Sequence, residues 1–393
     1  MAGGDAVERE LRDAAPHELF EKVRDVLTRE HGAGSAELLM ADYALARLQP
    51  VTAQPFTAES VSALDSPQGR AFGSQQPHVA DLGDGVAVHL PVSVRGDRLG
   101  VLSVGYAEGA YEPALLGPLQ DVADALAHEI LVADRDTDVF LQARRTKRLT
   151  LAAEMQWQLL PGRSCCRPEY ELGAQLEPAY AIYGDCFDWS ASADHLTLTV
   201  NNGMGEGTDA ALLSSLAVSA LRNARRAGLG LEDQAALADQ ALYGQYQGEL
   251  HLPMLLLRFA LATGEVEVID AGSPRLWRLR EGVVEQVPLE AQLPLGMFED
   301  SIYTCQRLRV LPGDRLLFLS DGVYDVMSPT GEPYSLHALS RAVLDTRLLP
   351  PSQVPRAVLE RLAGHRGGVE AADDALVVCL DWHGRAGTER GEP

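Results

Sequence analysis

The sequence predicts an α+β protein, and three observations carry that reading. Apolar runs of strand length dominate the region 165–383, and several alternate with period two, as Leu196, Leu198 and Val200 do against Thr197 and Thr199. Helical patterns are segregated from these runs, which argues for two antiparallel sheets packed face to face with helices outside, an α-β-β-α sandwich. A shorter segment, 16–133, mixes short strands with an amphipathic helix at each end and reads as a separate α/β unit.

In the first segment, Leu19, Val23, Val26 and Leu27 recur at helical spacing in LFEKVRDVL. Strand runs follow: AELLMADYALARLQPV, VAVHLPVSV and LGVLSVGY. The turn Arg95-Gly96-Asp97-Arg98 joins the last two as a hairpin, with glycine supplying a left-handed position. Leu119, Val122, Leu126 and Ile130 form the stripe of a closing helix.

Residues 134–162 read as a helical connector. RRTKRLTLAAEMQWQLLP predicts one continuous helix ended by Pro161-Gly162, with Leu149, Leu151, Ala152, Met155 and Leu159 on its packing face. Arg144, Arg145, Lys147 and Arg148 form a basic patch that reads first as a solvated helix face. Such a helix is suited to join two copies of the chain as a coiled coil, so a homodimer is expected.

In 165–383 the strand runs are HLTLTV, MLLLRFAL, GEVEVIDAG, RLRVL, DRLLFLSDG and ALVVCLDW. Two helical stretches accompany them, TDAALLSSLAVSALRNARRAG and PSQVPRAVLERLAGH. The Gly- and charge-rich tail, 384–393, is expected to be disordered.

Bulk properties narrow the function. The chain has 393 residues, enough for two or three domains, and a net charge of −23. That charge repels nucleic acid and anionic membrane. The five cysteines form no CxxC pair and fit reduced thiols. The ten histidines show no HxxxH, which argues against a His-based zinc site. MAGGDAVERELRDAA lacks the apolar core of a signal peptide, and the longest apolar stretch, around 210–221, is too short to cross a bilayer. A cytoplasmic protein is expected. There is no GxxxxGK[ST] and no GxSxG, and Thr208 breaks a dinucleotide fingerprint at Gly203, Gly205 and Gly207.

The chemistry points to carboxylates at strand ends. Asp185, Asp321 and Asp374 are far apart in sequence, each beside an apolar strand-like run. Gathered on one spot they repel each other, unless a cation holds them. An all-oxygen set suits Mg²⁺ or Mn²⁺, which can lower the pKa of a bound water for attack on phosphorus.

The segment 16–133 resembles a GAF domain, on MADY (40–43), DSPQGRAF (65–72) and LPVSVRGDRLGVLSV (90–104). The resemblance implies a sensor for an unknown small molecule or a dimerisation module. From EMQWQLLP (154–161) to the last strand, the chain resembles the SpoIIE-type branch of the PPM-type (protein phosphatase 2C-like) Ser/Thr phosphatases. The carriers are PAYAIYGDCFDW, NNGMGEGTDAALLSSL, IDAGSP, LPLGMF, PGDRLLFLSDGVYD and the pair Asp373-Asp374. By motif position the resemblance implies that Asp185, Asp321, Asp374 and the Gly203 carbonyl bind metal, two Mg²⁺ or Mn²⁺ ions in the family. It further implies a phosphoprotein substrate, an anti-anti-sigma factor in a partner-switching pathway.

Several positions depart from the family pattern. Asn202 stands where the family has an Asp that bridges the two metals. The site loses one negative charge there, which weakens cation binding by several kcal/mol, depending on local dielectric. Ser273 replaces the His of AGH, Met254 a strand Thr, and Tyr183 the first Gly of Gly-Gly-Asp. Glu206 replaces the loop His and is a candidate outer partner, as are Ser273 and Asp373. Asp188 and Asp325 read first as turn or capping residues, and Asp209 as a helix N-terminal charge. Asn202-Gly203 is also a turn dipeptide in which Asn favours a left-handed backbone. Two functions follow: an active metal-dependent phosphatase, with one ion or weakened binding, or a pseudophosphatase that binds partners without turning them over.

Overall fold

The computed structural model describes residues 4–51, 60–178, 180, 183–335, 337–367 and 373–385. It divides between Arg148 and Leu149 into two compact units.

The N-terminal unit contains α1 (Gly4–Arg12), α2 (Leu19–His31), β1 (Ser35–Ala41), β2 (Arg47–Pro50), β3 (Val61–Ser62), α3 (Pro67–Ser74), β4 (His78–Asp81), β5 (Gly85–Val94), β6 (Asp97–Ala107), α4 (Leu116–Ala133) and α5 (Val139–Ala143). The strands form one sheet in the order β3-β2-β1-β6-β5-β4, with every pairing antiparallel. The apolar stripes of α2 and α4 are buried on one face with Leu38, Met40, Val88, Leu90 and Val104. On the other face, Ala71 and Phe72 of α3 pack with Leu39, Leu48 and Val101. The tip of the β5–β6 hairpin has φ of 52° at Arg95 and 91° at Gly96. Both are the left-handed values that a two-residue type I′ turn needs. Helix α1 precedes residue 16, and its Val7 and Leu11 join the core of α2 and α4.

The C-terminal unit contains α6 (Leu151–Leu159), β7 (Ser164–Arg167), β8 (Tyr170–Glu177), β9 (Cys186–Ala191), β10 (His195–Asn201), α7 (Gly207–Arg226), α8 (Leu231–Tyr246), β11 (Met254–Ala260), β12 (Glu265–Ala271), β13 (Arg275–Arg280), β14 (Val283–Gln286), β15 (Gln306–Arg309), β16 (Arg315–Leu319), α9 (Asp321–Tyr324), α10 (Ala338–Asp345), α11 (Val354–Arg366) and β17 (Ala375–Trp382). Two antiparallel sheets form, ordered β15-β12-β11-β10-β9 and β14-β13-β16-β17-β8-β7. Helices α7 and α8 cover the first sheet, where Leu213, Ala217, Leu221, Ala235 and Leu242 pack on Met254, Leu256 and Ile269. Helices α10 and α11 cover the second, where Leu339, Val343, Val358 and Leu362 pack on Leu317, Leu319 and Val377. Phe259 of β11 and Trp382 of β17 stack with ring centroids 5.9 Å apart, joining the two sheets. The layers are therefore helices, sheet, sheet, helices. The two helical stretches expected in this region are α7 and α11; α8 and α10 were not anticipated.

The expected continuous helix over 144–161 is corrected. Helix α6 starts only at Leu151, where the Thr150 hydroxyl accepts from Ala153 N at 3.2 Å. A capping threonine ends the upstream chain's claim to helix because its own backbone is extended. Of the packing face expected from the sequence, Leu149, Ala152 and Leu159 are buried and Met155 is partly buried, but Leu151 is 66% exposed; Ala153 and Gln156 are buried as well. The expected disordered tail lies outside the described residues from 386 onward. Arg385 is tied down by Glu169 Oε1 at 3.0 Å and the Ala193 carbonyl at 2.9 Å.

Candidate metal centre

Topology brings four strand ends to one place. Strands β9 and β10 are antiparallel neighbours, so the start of one lies beside the end of the other, with Cys186 opposite Asn201. Asp185 precedes β9 and Asn202 follows β10. Strands β16 and β17 repeat this in the second sheet, with Leu319 opposite Val377. Asp321 opens α9 directly after β16, and Asp374 directly precedes β17.

Asp185, Asn202 and Asp374 are buried, and Asp321 is half-buried. Asp374 Oδ2 accepts from the N–H groups of Tyr183 at 2.6 Å and Asp185 at 3.1 Å, while Asp185 Oδ1 accepts from Gly203 N at 2.8 Å. Their second oxygens, Asp374 Oδ1 and Asp185 Oδ2, have no hydrogen-bond partner, and neither does Asn202 Oδ1. Burying polar oxygens without partners costs free energy, so three such atoms in one cluster are suited to a donor or a cation.

Electrostatics agree. Burial pushes the Asp374 carboxyl up to about 8 against the backbone N–H groups that lower it, with Asp373 adding repulsion. Asp185 is raised well above the ordinary range by burial first and then by the Asp374 charge. Asp321 is raised by burial and by Asp373, and hydrogen bonds from the Gly322 N–H and, less, from Asn202 partly offset this. Two desolvated carboxylates that repel are what a divalent cation relieves.

The backbone is fixed around these groups. Gly203 and Gly184 touch: a Cβ on Gly203 would lie 2.5 Å from Gly184 C. The Gly184 carbonyl takes donors from Ser214 Oγ (2.7 Å), Asn201 Nδ2 (3.1 Å) and Gln156 Nε2 (3.4 Å). Gln156 Nε2 also donates to the Asp185 carbonyl at 2.6 Å. Ser320 hydrogen-bonds the Asp185 carboxylate, and its Oγ accepts from Leu376 N at 2.9 Å. Thus α6, α7 and β16 all hold the Asp185 loop. Gln156, Ser214 and Ser320 were missed as site residues; the signal was their place within the motifs EMQWQLLP, TDAALLSSL and LLFLSDG.

The remaining candidates separate. Ser273 Oγ accepts from Asn202 Nδ2 and meets Tyr324 OH at 2.7 Å, so it belongs to the cluster. Asp373 Oδ1 accepts from Asp374 N at 2.8 Å, an orienting contact. Glu206 is exposed at the start of α7, without a side-chain cap bond. Asp325 is exposed at the end of α9. Asp188 is neither a turn nor a capping residue: it is buried and pairs with Arg222 at 2.7 Å and Arg225 at 3.0 Å, tying β9 to α7. Asn202 does not adopt the left-handed backbone considered for it. Among the described residues, no group of three or more His, Cys, Asp or Glu side chains stands close enough to hold a metal unaided. The donors that converge include the neutral amide of Asn202. Their chemistry, all oxygen and partly unpartnered, fits a hard divalent cation, with less charge than a full carboxylate set.

Residues 192–383 match the family model of stage II sporulation protein E (SpoIIE). The matched segment contains every site candidate except Asp185. The chain is 21% identical to protein IcfG of Synechocystis, over 58% of this chain and 40% of that protein. It therefore spans less than half of this curated relative. The SiaA PP2C domain of Pseudomonas aeruginosa shares the fold, with a TM-score of 0.50 and 18% identity over 59% of this chain and 93% of that one. The SpoIIE phosphatase domain of Bacillus subtilis with a fragment of its regulatory domain aligns over 82% of this chain and 85% of that one, at 15% identity and a TM-score of 0.49. The family match and the shared fold both fall on the C-terminal unit. Among the described residues no helix is long and apolar enough to cross a membrane.

Proposed function

We propose that the C-terminal unit is a divalent-cation-dependent phosphoserine/phosphothreonine protein phosphatase whose cation site is weakened by Asn202. One observation carries this reading: three buried oxygens without partners, Asp185 Oδ2, Asn202 Oδ1 and Asp374 Oδ1, at the junction of four strand ends. Asp185, Asp374, Asp321, the Asn202 amide oxygen and the Gly203 carbonyl would hold Mg²⁺ or Mn²⁺. When bound, such a cation lowers the pKa of a water and neutralises phosphoryl oxygens.

The chain's own groups set the stage for that chemistry. Ser320 and the Gly203 N–H fix the Asp185 carboxylate, and the Tyr183 and Asp185 N–H groups fix Asp374. Each leaves one buried carboxylate oxygen without a partner. Gln156 and Ser214 hold the loop between them, so the donors are positioned before any substrate arrives. No side-chain nucleophile is required.

The N-terminal unit serves in this proposal as a GAF-like sensor of a small molecule and as a homodimerisation module. The segment 134–162 passes its state to the phosphatase. The substrate is a phosphorylated protein acting in trans, of the anti-anti-sigma class. The resemblance of MADY, DSPQGRAF and LPVSVRGDRLGVLSV to GAF-domain patterns supports the sensor reading.

A second reading is a pseudophosphatase that holds its phosphoprotein. The specific observation behind it is the neutral amide at 202, in a cluster where no three acidic, histidine or cysteine side chains among the described residues enclose an ion. Hydrolysis of a phosphoserine peptide with and without Mn²⁺ separates the two. Cation-dependent turnover that Asp321→Ala abolishes supports the enzyme; phosphopeptide binding without turnover supports the alternative.

A further inference from the structure

A cavity of about 440 Å³ opens beside Ser273 and Tyr324, on the side of the cluster formed by the β12–β13 connection. Its far wall is apolar, with Val287, Leu289 and Ala291. Its one cationic lining residue is Arg275. The Arg275 guanidinium carbon lies 3.8 Å from the centroid of the Tyr324 ring. Stacking of this kind holds the guanidinium flat while its N–H groups stay available in the plane. Among the described residues the Arg275 guanidinium has no hydrogen bond and no ion pair.

The same tyrosine connects this cavity to the proposed catalytic cluster. Tyr324 OH donates to the Ser273 carbonyl at 2.6 Å, and Ser273 Oγ binds Asn202 Nδ2. Arg275 is thus one aromatic ring away from the residues that would face a phosphoryl group. The volume is in the range of a ligand cleft and exceeds what a phosphate alone needs. An extended peptide advances about 3.3 Å per residue, so two or three residues flanking a phosphoresidue at Asn202 are long enough to reach past Ser273 into this cavity. Asp270 and Asp325 also line it. Asp270 Oδ1 accepts from Gly272 N at 3.0 Å, and Asp325 is exposed to solvent. Neither neutralises the guanidinium by a direct pair.

The geometry points to this cavity as the groove for the peptide flanking the phosphoresidue, with Arg275 a specificity-determining residue that pairs with an acidic side chain there. The inference rests on the phosphatase reading for which residue is phosphorylated, but its test does not need turnover. Fluorescein-labelled phosphorothioate-serine peptides, carrying Glu or Lys within three residues of the modified serine, are titrated with the full chain and followed by anisotropy. The wild type is expected to bind the best Glu peptide about tenfold tighter than its Lys counterpart. Arg275→Gln should collapse that ratio to near one, and Arg275→Glu should invert it, with melting curves confirming that both variants fold. An unchanged ratio in Arg275→Glu, or no binding of any peptide, overturns the assignment. Hydrolysis of p-nitrophenyl phosphate by the wild type is measured in parallel. No hydrolysis with an inverted ratio keeps the groove and removes the enzyme; hydrolysis with an unchanged ratio does the reverse.

Discussion

Asn202 and Ser273, 71 residues apart, meet side chain to side chain, with the amide nitrogen donating to the serine hydroxyl. Tyr324 gives its proton to the Ser273 carbonyl, so Ser273 Oγ–H is left to donate to Tyr324 OH. The donors run in one direction from Asn202 and end on a backbone oxygen. The amide is therefore built into its surroundings: its nitrogen is used and its oxygen is buried without a partner.

Asn202→Asp replaces that donor by a charge. In metal-free protein the new carboxylate adds repulsion beside Asp321, and stability should fall by about 1–3 kcal/mol. With Mn²⁺ the sign reverses: affinity by calorimetry should rise at least tenfold, about 1.4 kcal/mol. Equal Mn²⁺ affinity in the two proteins would count against a cation at this residue.

Gly322→Ala tests the backbone contact behind Asp374. A Cβ at Gly322 would lie 1.7 Å from the Asp374 carbonyl oxygen. No rotamer relieves a clash with backbone, so β17 and α9 must separate. We expect a loss of several kcal/mol in denaturant titration, within the range of severe core lesions, and loss of Mn²⁺ binding. Wild-type binding in this variant would mean that Asp374 plays no part.

Asp188→Ala leaves Arg222 and Arg225 without their carboxylate. Both arginines are partly exposed, so the expected cost is at the lower end for a broken buried pair, about 3 kcal/mol. The denaturation midpoint should fall while Mn²⁺ affinity of the folded protein stays within threefold, because Asp188 makes no contact with the site.

The two units should respond to pH with opposite signs. Burial, and secondarily His78, lowers His89 to about 4 from 6.5. The unfolded chain then binds more protons between these values, so the N-terminal unit gains stability as pH rises from 4 to 6.5. Asp374 is raised from 3.8 to about 8, so the metal-free C-terminal unit loses stability as pH rises through that window. Hydrogen exchange of β5 and β17 amides, corrected for intrinsic rates, should separate the trends. His89→Gln should flatten the first, and Asp374→Asn should weaken the second, to which the raised Asp185 carboxyl also contributes.

Much of this fold was legible in the sequence because burial has a period. The stripes of α2 and α4 and the alternation of β10 each mark one buried face. Helix α8 escaped because LEDQAALADQALYGQY buries Gln234 and Asp239 among Leu231, Ala235, Ala238 and Leu242, and its contrast between faces is weak. Short edge strands such as β3 and β14 carry too few residues to show alternation. Asp185, Asp321 and Asp374 were readable as acids at strand ends. The partnership of Asn202 with Ser273 and Tyr324, and the ion pairs of Asp188, depend on which strands become neighbours, and local pattern does not encode that.

The most direct test of the central claim is the initial rate of phosphoserine-peptide hydrolysis against Mn²⁺ concentration for the wild type, Asn202→Asp and Asp321→Ala. The account predicts cation-dependent turnover in the wild type, saturation at lower Mn²⁺ in Asn202→Asp, and none in Asp321→Ala. Turnover that is independent of Mn²⁺, or that survives Asp321→Ala unchanged, would contradict it.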